Sequence, residues 1–571
     1  MRSVWRFVGF AVGLLLLVAL AWVWTQHNRG RHSLAAYRAQ LIAQGEKLSV
    51  SEVVTPPILA DDPDYRRLMA AARLLKGRPI QPGSFDYAGR FAAPGELIPL
   101  DAITNLSISG SAVVTWSDWQ AEVTAMQPTL AGLRQALRSP APRSDFDYRV
   151  ATVRGSDFVL RRQAAQWLAG ETLAALHATN HAAAVESLQA LLALTELHRE
   201  DPTLLNQIIR VAISGLAFDV TCAALQSPDW TDAQLTRIQS AWERDSFFER
   251  LVTSMEGERA FMLIHFEQAR TNSSSAVWNQ RGPGAARPAN VGEFLEDFAL
   301  NPLYRHTWAE EDQRYFLQHY QDWIGAMRDA RQHRSWMKLK VEIDRVFKPI
   351  EDSHGLDLLR HRFSLMAIPN WKRAMEIQLR GETQRSLCLA ALALRRHELR
   401  HGRPPADLAA LTPELLAATP VDFMVGQPLR YRVEDDGTWR LYSVGLDGKD
   451  DGGDSFPAQP WGKYQNVWDG RDAVWPRLAS AVSLLPVIPS SEVVPIIQFD
   501  NVPLRDAIIA LGRFLGLNLI FDPTIESTLN RPVKLRLENV SASDVLQLLL
   551  DQHRLRAARD SNYNLIGITA R

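Results

Sequence analysis

Residues Val494 to Arg571 constrain the architecture of this chain more than any other stretch, because only they carry a complete fold signature. Ile496–Val502 (IIQFDNV) alternates enough to form a strand. It runs into PLRDAIIALGRFLGL, where Leu504, Ala507, Ile508, Leu511 and Leu515 recur at helical spacing. Pro503 suits a first helical turn, and Gly516 stands where a C-terminal cap belongs. The apolar run NLIFD follows, then VKLRLENV. There Val533, Leu535 and Leu537 alternate with Lys534, Arg536 and Glu538, the pattern of a strand wetted on one face. Ser541 and Asp544 form a capping-box-like start for a helix whose stripe is Val545, Leu546 and Leu549. Two short extended pieces about Asp560, Ser561 and Asn562 close the segment. The predicted order is strand, helix, strand, strand, helix, hairpin.

The phrases FDNVPLRDAIIALGRFLGLNLIFDPTI and VKLRLENVSASDVLQLLL make residues 495–571 resemble the short N-terminal domain shared by secretins and TonB-dependent receptors. That resemblance implies a periplasmic α+β module that binds other envelope proteins and has no catalytic residues. A generic small α+β domain is the plainer reading. In the family the domain precedes an outer-membrane barrel; here it ends the chain, so this chain is expected to be neither a secretin nor a receptor.

With 571 residues the chain has room for three or four domains, and 46% apolar residues supply ample core. A net charge of −1 gives no basic excess to suggest nucleic acid as a partner. Cys222 and Cys388 are the only cysteines and lie far apart, which excludes a thiolate metal site and a disulfide framework. Two buried thiols are expected; one isolated disulfide is the alternative. Val4–Trp24 is membrane-grade, uncharged except for Arg6, with Trp5, Trp22 and Trp24 near its ends. The span, residues 1–30, is expected to be an uncleaved anchor; a signal peptide cut after Ala19-Leu20-Ala21 is the rival. Arg2 and Arg6 on one side nearly balance Arg29, Arg31 and Arg38 on the other, so orientation comes from the C-terminal resemblance. It implies a bacterial inner-membrane protein with a single span and most of its chain in the periplasm.

Ser33–Gly45 reads as a short helix leaving the membrane, within a largely irregular connector over residues 31–150. One helix is expected there, between about Trp116 and Leu137. Residues 151–384 are read as a helical body, with Asp-Pro and Ser-Pro breaks between helices of an α-bundle or short solenoid, a loop over Asn272–Asn290, and helices again from about Val291. Lone histidines on these helices, such as His265 and His319, are expected to be packing residues.

Two readings compete over residues 385–476. His397-Glu398-Leu399-Arg400-His401 fits H-E-x-x-H, which puts two imidazoles on one helix face as zinc ligands and a carboxylate beside them as general base. Against it stand Arg395, Arg396 and Arg400, the helix stop at Gly402 and Pro404-Pro405, and the lack of an evident third ligand, Glu414 and Asp422 being the nearest candidates. The other reading rests on LRHGRPPADLAAL, TPVDFMVGQPLRYR, LYSVGLDGKDDGGD and RDAVWP. In that order they resemble the C-terminal half of the major pseudopilin of type II secretion. The resemblance implies a packing helix, a small antiparallel sheet and a Gly/Asp-rich calcium loop. Asp447, Asp450, Asp451 and Asp454 fall close together among Gly448, Gly452 and Gly453, which allow the tight backbone that oxygen ligation needs. The resemblance adds Asp472 to that ligand set. A solvated acidic turn with Lys449 as partner is the plainer reading. No pilin-type processing site precedes the anchor, so the chain is not read as a pilin subunit.

The expected fold class is therefore multidomain α+β: a transmembrane helix, a large helical body, a small antiparallel module, a proline-marked linker (477–494) and a C-terminal βαββα module. No phosphate loop, nucleophile elbow or nucleotide fingerprint appears. The expected function is a periplasmic scaffold or adaptor contacting envelope or secretion-system proteins, not an enzyme, in a type II secretion or type IV pilus-like machine. A membrane-tethered zinc peptidase using Glu398, His397 and His401 and an envelope signalling module are the alternatives.

Overall fold

The computed structural model describes residues 2–53, 63–75, 116–138, 156–227, 229–271, 300–367, 371–434, 437–454, 467–475, 493–514, 518–560 and 565–570. The sequence readings for the loop over Asn272–Asn290, nearly all of the linker, Gly516 and the turn at Ser561-Asn562 fall outside those residues, as do the side chains of Ser541 and Asp544. The fold is mixed α+β and mostly helical, with small sheets in its C-terminal third.

Helix α1 (Arg2–Ala43) is one uninterrupted helix, where the sequence suggested an anchor and then a separate short helix. Nothing in its sequence breaks it: it holds no proline, and only Gly9, Gly13 and Gly30 interrupt its helix-forming residues. Its apolar part has the length and composition to cross a membrane and lies outside the packed body. Phe10, Leu15 and Leu17 are 72%, 69% and 66% exposed. Past Trp24 the same helix becomes part of the body core, with Leu34 and Leu41 buried. Leu204–Gln226 also has the hydropathy of a span, but it is mostly buried.

The described residues of the connector, 31–53, 63–75 and 116–138, are mostly helical, and the rest of the stretch expected to be irregular lies outside the described residues. Besides the end of α1 the connector holds α2 (Val50–Val53), α3 (Pro63–Leu74) and α4 (Trp116–Ala136). Tyr65, Leu68, Met69 and Ala72 give α3 a buried stripe, obscured in the sequence by its arginines and by the Asp-Pro pair that starts it. Helices α5 (Ser156–His177), α6 (His181–Glu196), α7 (Leu204–Gln226), α8 (Asp232–Glu243) and α9 (Leu251–Thr271) follow the breaks read from the sequence. The side chains of Asn180, Thr203 and Thr231 cap α6, α7 and α8. After α10 (Asn301–Thr307) come α11 (Ala309–His333), α12 (Trp336–Glu351), α13 (Leu356–Arg360), α14 (Arg362–Ala367) and α15 (Trp371–His401).

Helix α15 runs straight through the expected 384/385 boundary and supports a small β region. That region comprises the hairpin of β1 (Val421–Asp422) with β2 (Gln427–Pro428), and an antiparallel sheet in the order β3 (Arg430–Val433), β4 (Trp439–Ser443), β5 (Ala473–Val474). One continuous core joins Leu34 to Trp475, so the β region is part of the body. The amides of Trp336 and Met337 at the start of α12 bond to the carbonyls of Phe423 and Met424 at 2.8 and 3.0 Å. Gly426 makes this approach feasible: its φ is +75°, and a Cβ there would stand 2.3 Å from the His333 carbonyl. Cys222 and Cys388 are both buried and form no disulfide.

The C-terminal residues build a second core of their own. Strand β6 (Val493–Pro503) pairs antiparallel with β8 (Pro532–Ser541), and β7 (Asn518–Phe521), β10 (Leu565–Ala570) and β9 (Leu555–Asp560) form a sheet with β10 in the middle. Helices α16 (Leu504–Phe514) and α18 (Ala542–Gln552) bury Leu504, Ile508, Val545, Leu546 and Leu549, and a single turn, α17 (Glu526–Leu529), lies between β7 and β8. Pro503 ends β6 instead of entering the helix.

Just past α1, the carboxylate of Glu46 ties three parts of the body together. It accepts from Arg259 on α9 at 3.0 Å, and from Gln321 and Arg328 on α11 at 2.8 and 2.5 Å. Burial alone would raise its pKa; bonds from Arg328, Gln321 and Arg259 outweigh burial and pull it down to about 2. The Arg259 side chain is fully buried, so Glu46→Ala strands a charge in the core and should cost roughly 3–5 kcal/mol. Because the folded pKa lies below the ordinary value, this contribution is present above about pH 4.5 and is lost as pH falls towards 2. Thermal melts of wild type and Glu46→Ala should therefore differ at pH 7 and converge in acid.

Candidate functional site

The two stretches singled out in the sequence are neighbours: α15 ends beside β4, and the acidic loop leaves β4. At the helix end the H-E-x-x-H residues are held by local contacts. The imidazoles of His397 and His401 stack with centroids 4.1 Å apart. Nδ1 of His401 bonds to the His397 carbonyl at 3.0 Å, and Nδ1 of His397 to the Arg403 carbonyl at 3.1 Å, where Gly402 (φ +71°) turns the chain back. Glu398 has a structural partner on each oxygen. Trp439 Nε1 on β4 donates to it at 2.8 Å and Arg395 at 2.9 Å. Of the other arginines that crowd the motif, Arg396 and Arg400 both reach Asp232 in the first turn of α8, at 2.8 and 2.7 Å. Glu414 pairs with Arg400 at 2.5 Å and Asp422 is fully buried elsewhere, so neither joins the histidines.

Asp422 holds the β1–β2 turn against the sheet. It accepts from Met424 N, Ser443 Oγ and Val444 N at 2.9, 2.8 and 3.0 Å, and burial raises its pKa. Of the lone histidines, His265 is half-buried and His319 packs on Tyr315; burial lowers both pKa values.

In the acidic loop the fold brings Asp472 under the backbone of residues 451–454. Its Oδ2 accepts from the amides of Gly453 and Asp454 at 2.7 and 3.1 Å, and its Oδ1 from Asp451 at 3.4 Å. Burial outweighs these bonds and raises its pKa to about 6. Asp450 is taken by Arg430 at 3.0 Å and by Tyr442, whose hydroxyl is pushed up to about 12 by burial and the adjacent carboxylate. Asp454 pairs with Arg471 at 3.0 Å. Asp447 accepts from the Lys449 amide at 3.0 Å, and Asp451 is exposed. The turn needs its glycines: Gly452 and Gly453 both have positive φ, and a Cβ on Gly453 would lie 2.5 Å from Arg440 Cδ.

Among the described residues no three His, Cys, Asp or Glu side chains gather as a metal-binding group. The donor set does not fit calcium as it stands, because Asp472 faces amide hydrogens and Asp450 and Asp454 are neutralised by arginines. The H-E-x-x-H string does not fit catalytic zinc as it stands among the described residues, since Glu398 is held by Trp439 and Arg395 and neither Glu414 nor Asp422 joins the histidines as a third ligand. No family model matches the chain, and no curated protein or solved structure matches it.

Sequence reasoning missed Trp439 as the partner of Glu398 and Asp232 as the partner of Arg396 and Arg400. No local signal could have found either, because the pairs lie 41, 164 and 168 residues apart. Glu398→Ala leaves the Trp439 donor unpaired and should destabilise the protein by about 1–3 kcal/mol, read as a lower Tm. Purified protein should hold no stoichiometric zinc; zinc lost in His397→Ala would promote the peptidase reading instead. As arranged, the acidic loop should show no Tm rise in millimolar calcium, whereas a rise abolished by Asp447→Ala would restore the calcium reading.

Proposed function

We propose that this protein is a single-pass membrane-anchored scaffold or adaptor of the bacterial envelope, its body and C-terminal module lying in the periplasm. On this reading it makes protein–protein contacts in a type II secretion or type IV pilus-like system. The observation that carries the proposal is the C-terminal unit. Residues 493–570 form a strand-helix-strand-strand-helix-hairpin order around a separate core, in the stretch whose sequence resembles the secretin and TonB-receptor domain. Helix α1 supports anchoring, because its exposed apolar side chains call for an apolar surround. The resemblance of residues 385–476 to a pseudopilin supports the same system, as an element built into the body.

Small sheets of this kind associate through open strand edges. The closing hairpin presents such an edge on β9, since β10 is paired on both sides. Alternate residues Leu555 and Ala557 of β9 turn inward or partly inward, while Arg556 is exposed. A reporter fused after Arg571 should read out an extracytoplasmic location; a cytoplasmic signal overturns the proposal. A photo-crosslinker at Arg556 in the full chain should trap a component of an envelope secretion machine. Its absence, with normal secretion in a strain lacking residues 493–571, would mean that the function lies elsewhere in the chain.

A further inference from the structure

Large apolar side chains exposed outside α1 are not scattered evenly. Leu300 and Leu303 at α10, Leu356, Leu358 and Leu359 on α13, and Met366 on α14 are between 37% and 52% exposed. These three short helices are linked to one another and to one end of α11. Arg362 donates to Asn301 at 3.2 Å, joining α14 to α10. Asp312 in the first turn of α11 accepts from Tyr304 of α10 at 2.5 Å and from the Phe363 amide of α14 at 2.9 Å. His361 stacks on Tyr315 of α11 with centroids 3.8 Å apart, which places the end of α13 there as well.

That end of α11 is where α1 enters the body. Trp22 meets Trp308 edge to face at 6.1 Å, and His27 lies 3.5 Å from Glu310. Gly30 backs onto Glu310 so closely that a Cβ would stand 3.2 Å from the Glu310 Cβ. Trp22 to Gly30 covers only about 12 Å of helix at 1.5 Å per residue. In that interval the apolar run ends at Trp24 and Arg29 appears, with Arg31 just beyond it. This is the composition of a membrane–water boundary, with indoles followed by cations. The exposed leucines are therefore grouped at the level where α1 would leave the bilayer. Arg305 and Arg360 stand among them, and neither these two nor Arg29 and Arg31 form an ion pair among the described residues. The far end of α1, at Ala43, is roughly 30 Å of helix away, and among the described residues of α1 only Ile42 is a large apolar side chain exposed there.

We infer that α10, α13 and α14 form a second, in-plane membrane contact, a foot on which the body stands beside its transmembrane helix. Leu303, Leu356, Leu358 and Leu359 enter the boundary between headgroups and acyl chains, while Arg305 and Arg360 meet lipid phosphates. The occupant is the bilayer already holding α1, because the patch is continuous with that span and its free cations complement anionic headgroups. Interfacial helices of this kind bury an apolar face about 5–10 Å deep. The inference rests on the reading of α1 as a membrane span. Its consequence is orientation: two contacts fix the tilt of the body, and so the face it offers to partners.

The test uses the full chain in liposomes of phosphatidylcholine and phosphatidylglycerol, with one fluorophore attached per variant. Cys222 and Cys388 are both buried, so an introduced cysteine is the accessible one. Leu16→Cys reports the span, Leu358→Cys the foot and Glu200→Cys the exposed far side of the body. Lipids spin-labelled just below the headgroup should quench the label at 358, lipids spin-labelled deep in the acyl chain should quench the label at 16, and neither should quench the label at 200. Loss of quenching at 358 on combining Arg305→Gln and Arg360→Gln, or on replacing phosphatidylglycerol with phosphatidylcholine, identifies the contact with anionic headgroups. Quenching at 16 without quenching at 358 overturns the foot and leaves the anchor standing. No quenching at 16 overturns the anchor itself.

Discussion

The carboxylate of Glu46 is the interaction on which the arrangement of this protein depends. It sits one turn past the end of α1, where the helix must give way to a chain that can wrap the body. Two arginines and a glutamine from α9 and α11 converge on it. An isolated Arg259 would be untenable in a core, and an isolated Glu46 nearly so; together they are satisfied. The clamp fixes one end of the body segment of α1, and the close contact of Gly30 with Glu310 fixes the other. Between them Leu34 and Leu41 are buried, each contributing about 1.5–3 kcal/mol. Helix α1 is thus one continuous helix, exposed and apolar over its first part and packed into the body over its second.

Helix α15 plays the corresponding part at the other side of the body. Its middle packs against α7, where Gly381 admits Val211 so closely that a Cβ would fall 2.6 Å from Cγ1. Its end carries Glu398 and the two histidines to the small sheet. A motif that reads as chemistry in one dimension serves here as a joint. Glu398 ties helix to strand through Trp439, and Arg396 and Arg400 tie helix to helix through Asp232. Trp475 against Phe218 and Arg380 over Trp468 extend the same seam, so the β region is welded to the helices.

Legibility differed between the two cores for a physical reason. In the C-terminal unit each helix and strand carries its own period, although β6 pairs with β8 and β7 with β10 across the sequence. Leu504, Ile508, Val533, Val545 and Leu549 could therefore be assigned to an interior from spacing alone. The helical breaks at Asp201-Pro202 and Ser227-Pro228 were legible for the same local reason. Helix α3 was not, because its apolar stripe is short and diluted by arginines whose role is to face water. The continuity of α1 was also missed, since a change of composition at Trp24 looks like a boundary although nothing there interrupts the backbone hydrogen bonds.

By itself the sequence determined the membrane-length apolar helix, the order of elements in the C-terminal unit, the run of body helices, and two cysteines with no framework to join. These depend on periodicity, capping and length, which act over a few residues. Only the tertiary structure decided that the described buried residues from Leu34 to Trp475 share one core, that Glu398 and Asp472 face a tryptophan, an arginine and backbone amides, and that exposed leucines from α10, α13 and α14 gather where α1 enters the body. Each of those depends on which distant groups meet after burial. A buried charge or donor takes whichever partner packing brings within 3 Å, and no local pattern in the chain encodes that choice.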